Sequence, residues 1–278
     1  MIIDPKLIDV ELPFAGLDGG DSENELLSTG NAVKPFPAKY RIDKSEWRDR
    51  IHEQEKHNAS AERFSARLFD QGDSHECVYH QLCQGMEIAR NRQMGGTDHA
   101  VYLSPLAGYT RATGGRRYGG SNVRDSLTLA IEEGMLPEFD GPGGDNEQYK
   151  KFKHTVQQTS GRDEDHWPTT GFITPRRLPE GYEKTARHFR VLEAYTIGDE
   201  VDHISSLLRG WAVGNGRSGH SILHARAVIS DRDKILSRYL DSYKIARYDS
   251  LRMLGGGYCI RSVTMPDDPT QPVGEQVK

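Results

Sequence analysis

The chain has 278 residues, a net charge of -5, 35% hydrophobic residues and 28% charged ones. That length can bury a sizeable core in one large or two small domains, and the acidic balance argues against a general nucleic-acid binder. No stretch approaches the roughly 18 consecutive apolar residues of a membrane span. Met1 to Val10 lack a basic region followed by an apolar run, and three cysteines, Cys77, Cys83 and Cys259, do not make a disulfide framework; both features imply a reduced, cytoplasmic protein.

In chain order, residues 1 to about 40 are rich in Gly, Asp, Ser and Pro without a sustained period, and read as an extended arm. Residues 43 to 57 read as a charged, largely solvated helix. From Cys77 to Gln93, Tyr79, Leu82, Cys83, Met86 and Ala89 recur at the spacing of one helical face, with Asp73 and Ser74 as caps. A second helix is expected from about Asn122 to Glu133, with Val123, Leu127, Ala130 and Ile131 inward, Ser121 as cap and Gly134 as stop. Residues 137 to 185 read as a long loop region. A strand from Phe189 to Tyr195 and a helix from about Glu200 to Arg209 follow. Then come strands over Ser221–Ile229, Tyr243–Tyr248 and Tyr258–Val263, and a loose tail after Met265. Helices first and strands later give an α+β protein of two unlike halves, with a cleft between them as the natural substrate site. The expected organisation is an arm and helix over 1–60, one domain over 61–264 and a tail over 265–278.

A thiol becomes a useful nucleophile on losing its proton, and the free N–H groups at a helix start favour the thiolate. Cys77 sits at such a start. Gln71, six residues earlier, could donate a hydrogen bond to an oxyanion beside the Cys77 N–H. His75, Cys77, His80 and Cys83 fall within nine positions and are zinc-type ligands, but their spacing is not that of a finger or ribbon, and no metal or other cofactor is expected. Gly216-Arg217-Ser218-Gly219 fails the serine-hydrolase pattern because position 220 is His, and Gly114-Gly115 and Gly119-Gly120 lack the context of a phosphate loop.

The run Gln71-Gly72-Asp73-Ser74-His75-Glu76-Cys77 resembles the nucleophile motif of the papain family of cysteine peptidases. Further landmarks are similar, in the family's order, over about residues 65 to 263: Leu103-Ser104, Tyr118-Gly119-Gly120, Gly219-His220-Ser221-Ile222, Asp249-Ser250, and Gly255-Gly256-Gly257-Tyr258. The resemblance implies a helical half and an antiparallel sheet or barrel half. It also implies Cys77 as nucleophile, His220 as base, Asp249 in place of the usual Asn as the group orienting the base, Gln71 in the oxyanion hole, and Gly119 and Gly120 on the substrate backbone. His224 is a competing base, but lies about four residues deeper, roughly 13 Å along a strand.

The chain departs from the family pattern at several places. Ser74 replaces a cysteine that normally pairs, His75 and Glu76 replace small residues, Val78 and Leu251 replace tryptophans, and no inhibitory propeptide is recognisable before residue 60. Glu76 also sets a carboxyl beside the thiol. The leading expectation is a peptidase acting on peptide or protein substrates through an acyl-enzyme. The alternatives are a degenerate binding module of a larger assembly such as a virus particle, engaged through the N-terminal arm, and an amidase acting on cell-wall peptides.

Overall fold

The computed structural model describes residues 33–69, 71, 76–98, 100–113, 121–138, 182–217, 220–242, 245–250 and 257–264. The expected α+β class holds: helices dominate the first half and a largely antiparallel sheet the second. The strands are β1 (Val33–Pro35), β2 (Arg190–Ile197), β3 (Val213–Arg217), β4 (His220–Ile229), β5 (Ile235–Asp241), β6 (Ile245–Ser250) and β7 (Gly257–Thr264). They form one open sheet in the order β1-β2-β7-β3-β4-β5-β6, with β1 and β6 at its edges. Among the described residues only the β1–β2 pairing is parallel. Among the described residues no helix is long and apolar enough to cross a membrane.

Helices cover both faces of the sheet. On one face lie α2 (Cys77–Gln93), α3 (Pro105–Thr113) and α4 (Val123–Glu132). Leu82, Met86, Leu106, Leu127 and Ile131 from these helices pack with Tyr258, Ile260 and Val263 of β7. On the other face, α1 (Trp47–Lys56) and α6 (Glu200–Leu208) join an aromatic cluster of Phe36, Tyr40, Tyr195 and Trp211. Alternation along β7 explains the split: Tyr258 and Ile260 point to α2, while Cys259 between them points to the aromatic side. Helix α5 (Tyr182–Ala186) is a short turn before β2.

The described part of the arm is built into this body. Val33 pairs with Ala194 in β1–β2. The charged helix α1 is not simply solvated, because it buries Trp47, Ile51 and Gln54. Gln54 donates to the Leu207 carbonyl at 2.8 Å and the Trp47 indole to that of Ile42 at 2.9 Å. Three apolar or amide positions on a strongly charged helix suffice to dock it.

Helix α2 starts and stops where its periodicity predicts, but its environment differs. Almost every residue from Val78 to Arg92 is buried, polar ones included, so the helix runs through the molecule instead of lying on it. Several of its polar side chains have specific partners. Gln84 donates to the Arg67 carbonyl, Asn91 to that of Phe64, and Glu87 accepts from the Leu103 N–H while bridging Arg67. Its capping residue is Glu76, with no side-chain cap; the expected caps Asp73 and Ser74 lie outside the described residues. For α4 the cap is Asn122, whose side chain accepts from the Arg124 N–H, not Ser121. Helix α3 was not foreseen, although Ser104 Oγ accepts from the Ala107 N–H ahead of Pro105, an ordinary helix-start signal.

Gly134 ends α4 with φ of 89°, and its N–H bonds the Leu129 carbonyl at 2.9 Å. An added Cβ there would lie 1.9 Å from the Ala186 carbonyl oxygen, a backbone atom that cannot swing away. Gly134→Ala should therefore cost more than the about 1–2 kcal/mol of a left-handed backbone alone. Chemical denaturation should show a clearly lower midpoint, and an unchanged midpoint would contradict this packing of α4 against α5.

Candidate active site

The N-terminal end of α2 meets the first residue of β4. Cys77 opens the helix and is partly exposed, whereas Cys83 and Cys259 are buried. His220 opens the strand and is also partly exposed. Its ring donates through Nε2 to Asp241 Oδ1 at 2.9 Å, and the Cys77 side chain lies close enough to act on its protonation. The hydrogen bond to Cys77 is the largest influence raising the His220 pKa above its ordinary value; partial burial opposes it and the Asp241 hydrogen bond reinforces it. One imidazole thus lies between a thiol and a carboxylate.

The carboxylate is Asp241, not Asp249. The β4–β5 register sets Leu223 opposite Leu240, and continuing it brings Asp241 diagonally across from His220 on the same sheet face. Asp249 pairs with Ser237, which pairs with Ala227. Seven positions along β4 separate Ala227 from His220, roughly 23 Å at about 3.3 Å per residue, and Asp249 lies two strands over. A side chain cannot orient the ring from there. The sequence reading took Asp249 from the resemblance of Asp249-Ser250 to the family's Asn-Ser motif, and it did not foresee β5. Ile235-Leu-Ser-Arg-Tyr-Leu-Asp241 does carry a signal: Ile, Tyr and Leu favour a strand, and the run ends in a carboxylate.

Gln71 is buried and tied to the residue after Asp241. Its N–H donates to the Ser242 carbonyl at 2.6 Å, and its Oε1 accepts from the Ser242 hydroxyl. That fixes the amide with its oxygen toward Ser242 and its NH2, the donor end, on the opposite side. Adjacent residues at the end of β5 therefore hold both His220 and Gln71. Gly119 and Gly120 lie outside the described residues.

His224 is not a second base at the surface. It is buried, its Nδ1 is 2.6 Å from Ser237 Oγ, and its ring meets that of His203 edge-on at 4.7 Å. Of the zinc-type residues, Cys77 faces His220, His80 stacks edge-on against Phe69, and Cys83 is wholly buried, its thiol pushed well up by that burial. His75 lies outside the described residues, and among those described no three such groups converge on one point.

Glu76, beside the nucleophile, is buried, and neither carboxyl oxygen has a hydrogen-bond partner among the described residues. The nearest cationic candidate, His80 Nε2, is 3.6 Å from Oε2. Burial pushes the Glu76 pKa up to about 8, so at neutral pH the group is mainly the uncharged acid and adds little negative charge beside the thiol. The linkage runs toward low pH. A pKa raised in the folded state means that the native protein holds a proton the unfolded chain has released. Stability should therefore fall as pH rises from the ordinary glutamate value of 4.5 to about 8, on the order of 1 kcal/mol per pH unit from this group. Thermal melting across that range should show a shallower decline for Glu76→Gln than for the natural chain. Parallel curves would contradict the buried, protonated state.

No family model and no curated protein matches this chain. Among solved structures, it is similar to Xylellain, a cysteine protease from Xylella fastidiosa, at 15% identity and a TM-score of 0.47, covering 71% of this chain and 83% of that one. It is also similar to the digestive procathepsin L 3 of Tenebrio molitor larval midgut, at 9% identity and a TM-score of 0.49, covering 86% of this chain and 78% of that one. These are likenesses of architecture at low identity, and the chemistry rests on this chain's own side chains.

Proposed function

We propose that the chain is a papain-like cysteine peptidase in which Cys77 is the nucleophile, His220 the acid–base group, Asp241 the group that orients His220, and Gln71 a donor to the oxyanion. The observation that carries this reading is a single imidazole bonded to a carboxylate at 2.9 Å and raised in proton affinity chiefly by the neighbouring Cys77 side chain. A lone partly exposed cysteine would not suggest it. The chemistry needs a thiol, a base within hydrogen-bond reach, and a third group that holds the base in place.

In this reading the proton of Cys77 resides on His220, whose positive charge Asp241 favours. The sulfur attacks a peptide carbonyl carbon, and the carbonyl oxygen takes up negative charge. The Gln71 NH2 and the Cys77 N–H stabilise that charge. Collapse of the adduct breaks the C–N bond, and His220 gives its proton to the departing amine. A thioester remains. His220 then takes a proton from water as the oxygen attacks the thioester carbon. Collapse of this second adduct breaks the C–S bond, the carboxylic acid leaves, and the sulfur keeps the bonding electrons beside the protonated His220, restoring the starting pair. Ser242 keeps Gln71 aligned throughout, while Gly119 and Gly120 retain their sequence-based assignment to the substrate backbone.

An epoxide thiol inhibitor should label the intact protein once, at Cys77, and hydrolysis of an unstructured protein substrate should vanish in Cys77→Ala. Asp241→Ala should lower kcat/KM by roughly a hundredfold or more, whereas Asp249→Ala should leave it near the natural value. Failure to form the adduct in the folded protein would sink the proposal. A large loss from Asp249→Ala with none from Asp241→Ala would overturn the assignment of the orienting carboxylate.

A further inference from the structure

A second bond joins the same two elements one step inside the reacting pair. Gln81 follows Cys77 by four residues on α2, hence on the same helical face, and Ser221 directly follows His220 on β4. The Ser221 hydroxyl donates to Gln81 Oε1 at 2.5 Å, with the Asn215 carbonyl a longer acceptor at 3.3 Å. The Gln81 NH2 donates to the Tyr258 hydroxyl at 3.1 Å. Gln81, Ser221 and Tyr258 are all buried.

The neighbouring strand is shaped around this contact. Gly214 of β3 lies where any Cβ would come within 1.5 Å of Gln81 Nε2 and 2.7 Å of its Cδ. The glycine content of Val213-Gly-Asn-Gly-Arg217, which hides this strand from a propensity reading, is thus accounted for in part by a close approach of the helix side chain. Tyr258 is held on β7 among the core residues. Gln81 therefore has one fixed place, and the strand hydroxyl it binds adjoins His220.

We infer that Gln81 and Ser221 are positioning residues that set the register of the α2 start against the β4 start, and with it the contact between Cys77 and His220. This rests on the assignment of Cys77 and His220 as the reacting pair. Neither Gln81 nor Ser221 touches the substrate. They act through the distance between the two elements, and hydrogen-bonded sites that set reactive geometry are sensitive: a misplacement of about 1 Å can cost roughly a hundredfold.

The test is the rate at which iodoacetamide alkylates Cys77 in the full-length protein at mildly acidic pH, where an unassisted thiol reacts slowly. Melting temperatures should be taken on the same samples. His220→Ala should slow alkylation strongly. Ser221→Ala, which removes only the hydroxyl, should slow it by roughly tenfold or more while the protein remains folded at the assay temperature, and Ser221→Thr, which keeps a hydroxyl, should restore the rate. Gln81→Met should match Ser221→Ala; if it fails to fold, Ser221→Ala and its threonine counterpart decide. A folded Ser221→Ala protein that alkylates at the natural rate overturns the positioning role while leaving the reacting pair intact. If His220→Ala also alkylates at the natural rate, the reacting pair itself is wrong.

Discussion

The site depends on how the start of one buried helix is set against the start of one strand. Helix α2 passes through the molecule with nearly all of its side chains enclosed, and a buried helix has no freedom to slide once its polar groups have found partners. Gln84 and Asn91 are clipped to the backbone of residues 64 to 67, Glu87 to Arg67 and Leu103, and Gln81 to Ser221 and Tyr258. Each bond contributes only about 1 kcal/mol net, but leaving any of these groups unpaired in the core would cost more, so together they select one axial position. In that position Cys77 emerges from the core beside His220, where solvent can reach it.

The electrostatics of the site follow from the same burial. His220 is half-buried and gains proton affinity from two acceptors. Glu76, one residue from the thiol, is enclosed enough that its proton stays on near neutrality, which removes the repulsion its identity would suggest. A negative residue at that position is compatible with thiol chemistry because the fold buries it. The Arg67 guanidinium answers the remaining buried acids under the same helix, bridging Glu87 and Glu138, with the rings of Phe69 and Tyr102 on its faces at 3.9 and 4.1 Å.

Much of this was legible in the sequence where local signals and tertiary context agree. The bounds of α2 followed from its apolar period, and α6 and β4 followed from simple patterns. The helix-start thiol and the strand-start histidine were visible for the same reason: each sits at an element boundary that residue pattern alone defines. The carboxylate was not, because its identity depends on strand register, which is a pairing property. The resemblance pointed to Asp249 through its Asp-Ser motif, without any knowledge of which strand lies beside His220. Once β5 is present, Asp241 takes that place. Helix α1 was misjudged in a related way, since Trp47, Ile51 and Gln54 are a thin stripe on a charged helix and acquire meaning only from the α6 surface they meet. Gln81 carried no signal of its own, because an amide in a helix is unremarkable until its partner strand is known.

The central claim, that His220 is held between a thiol and the Asp241 carboxylate, is tested most directly by following the proton titration of the His220 ring by nuclear magnetic resonance. The measurement should be made in the natural chain, in Cys77→Ala and in Asp241→Asn. The account predicts a titration above the ordinary histidine range in the natural chain, lowered by either substitution, with the larger effect from loss of Cys77. A ring that titrates at the ordinary value and ignores both substitutions would contradict it.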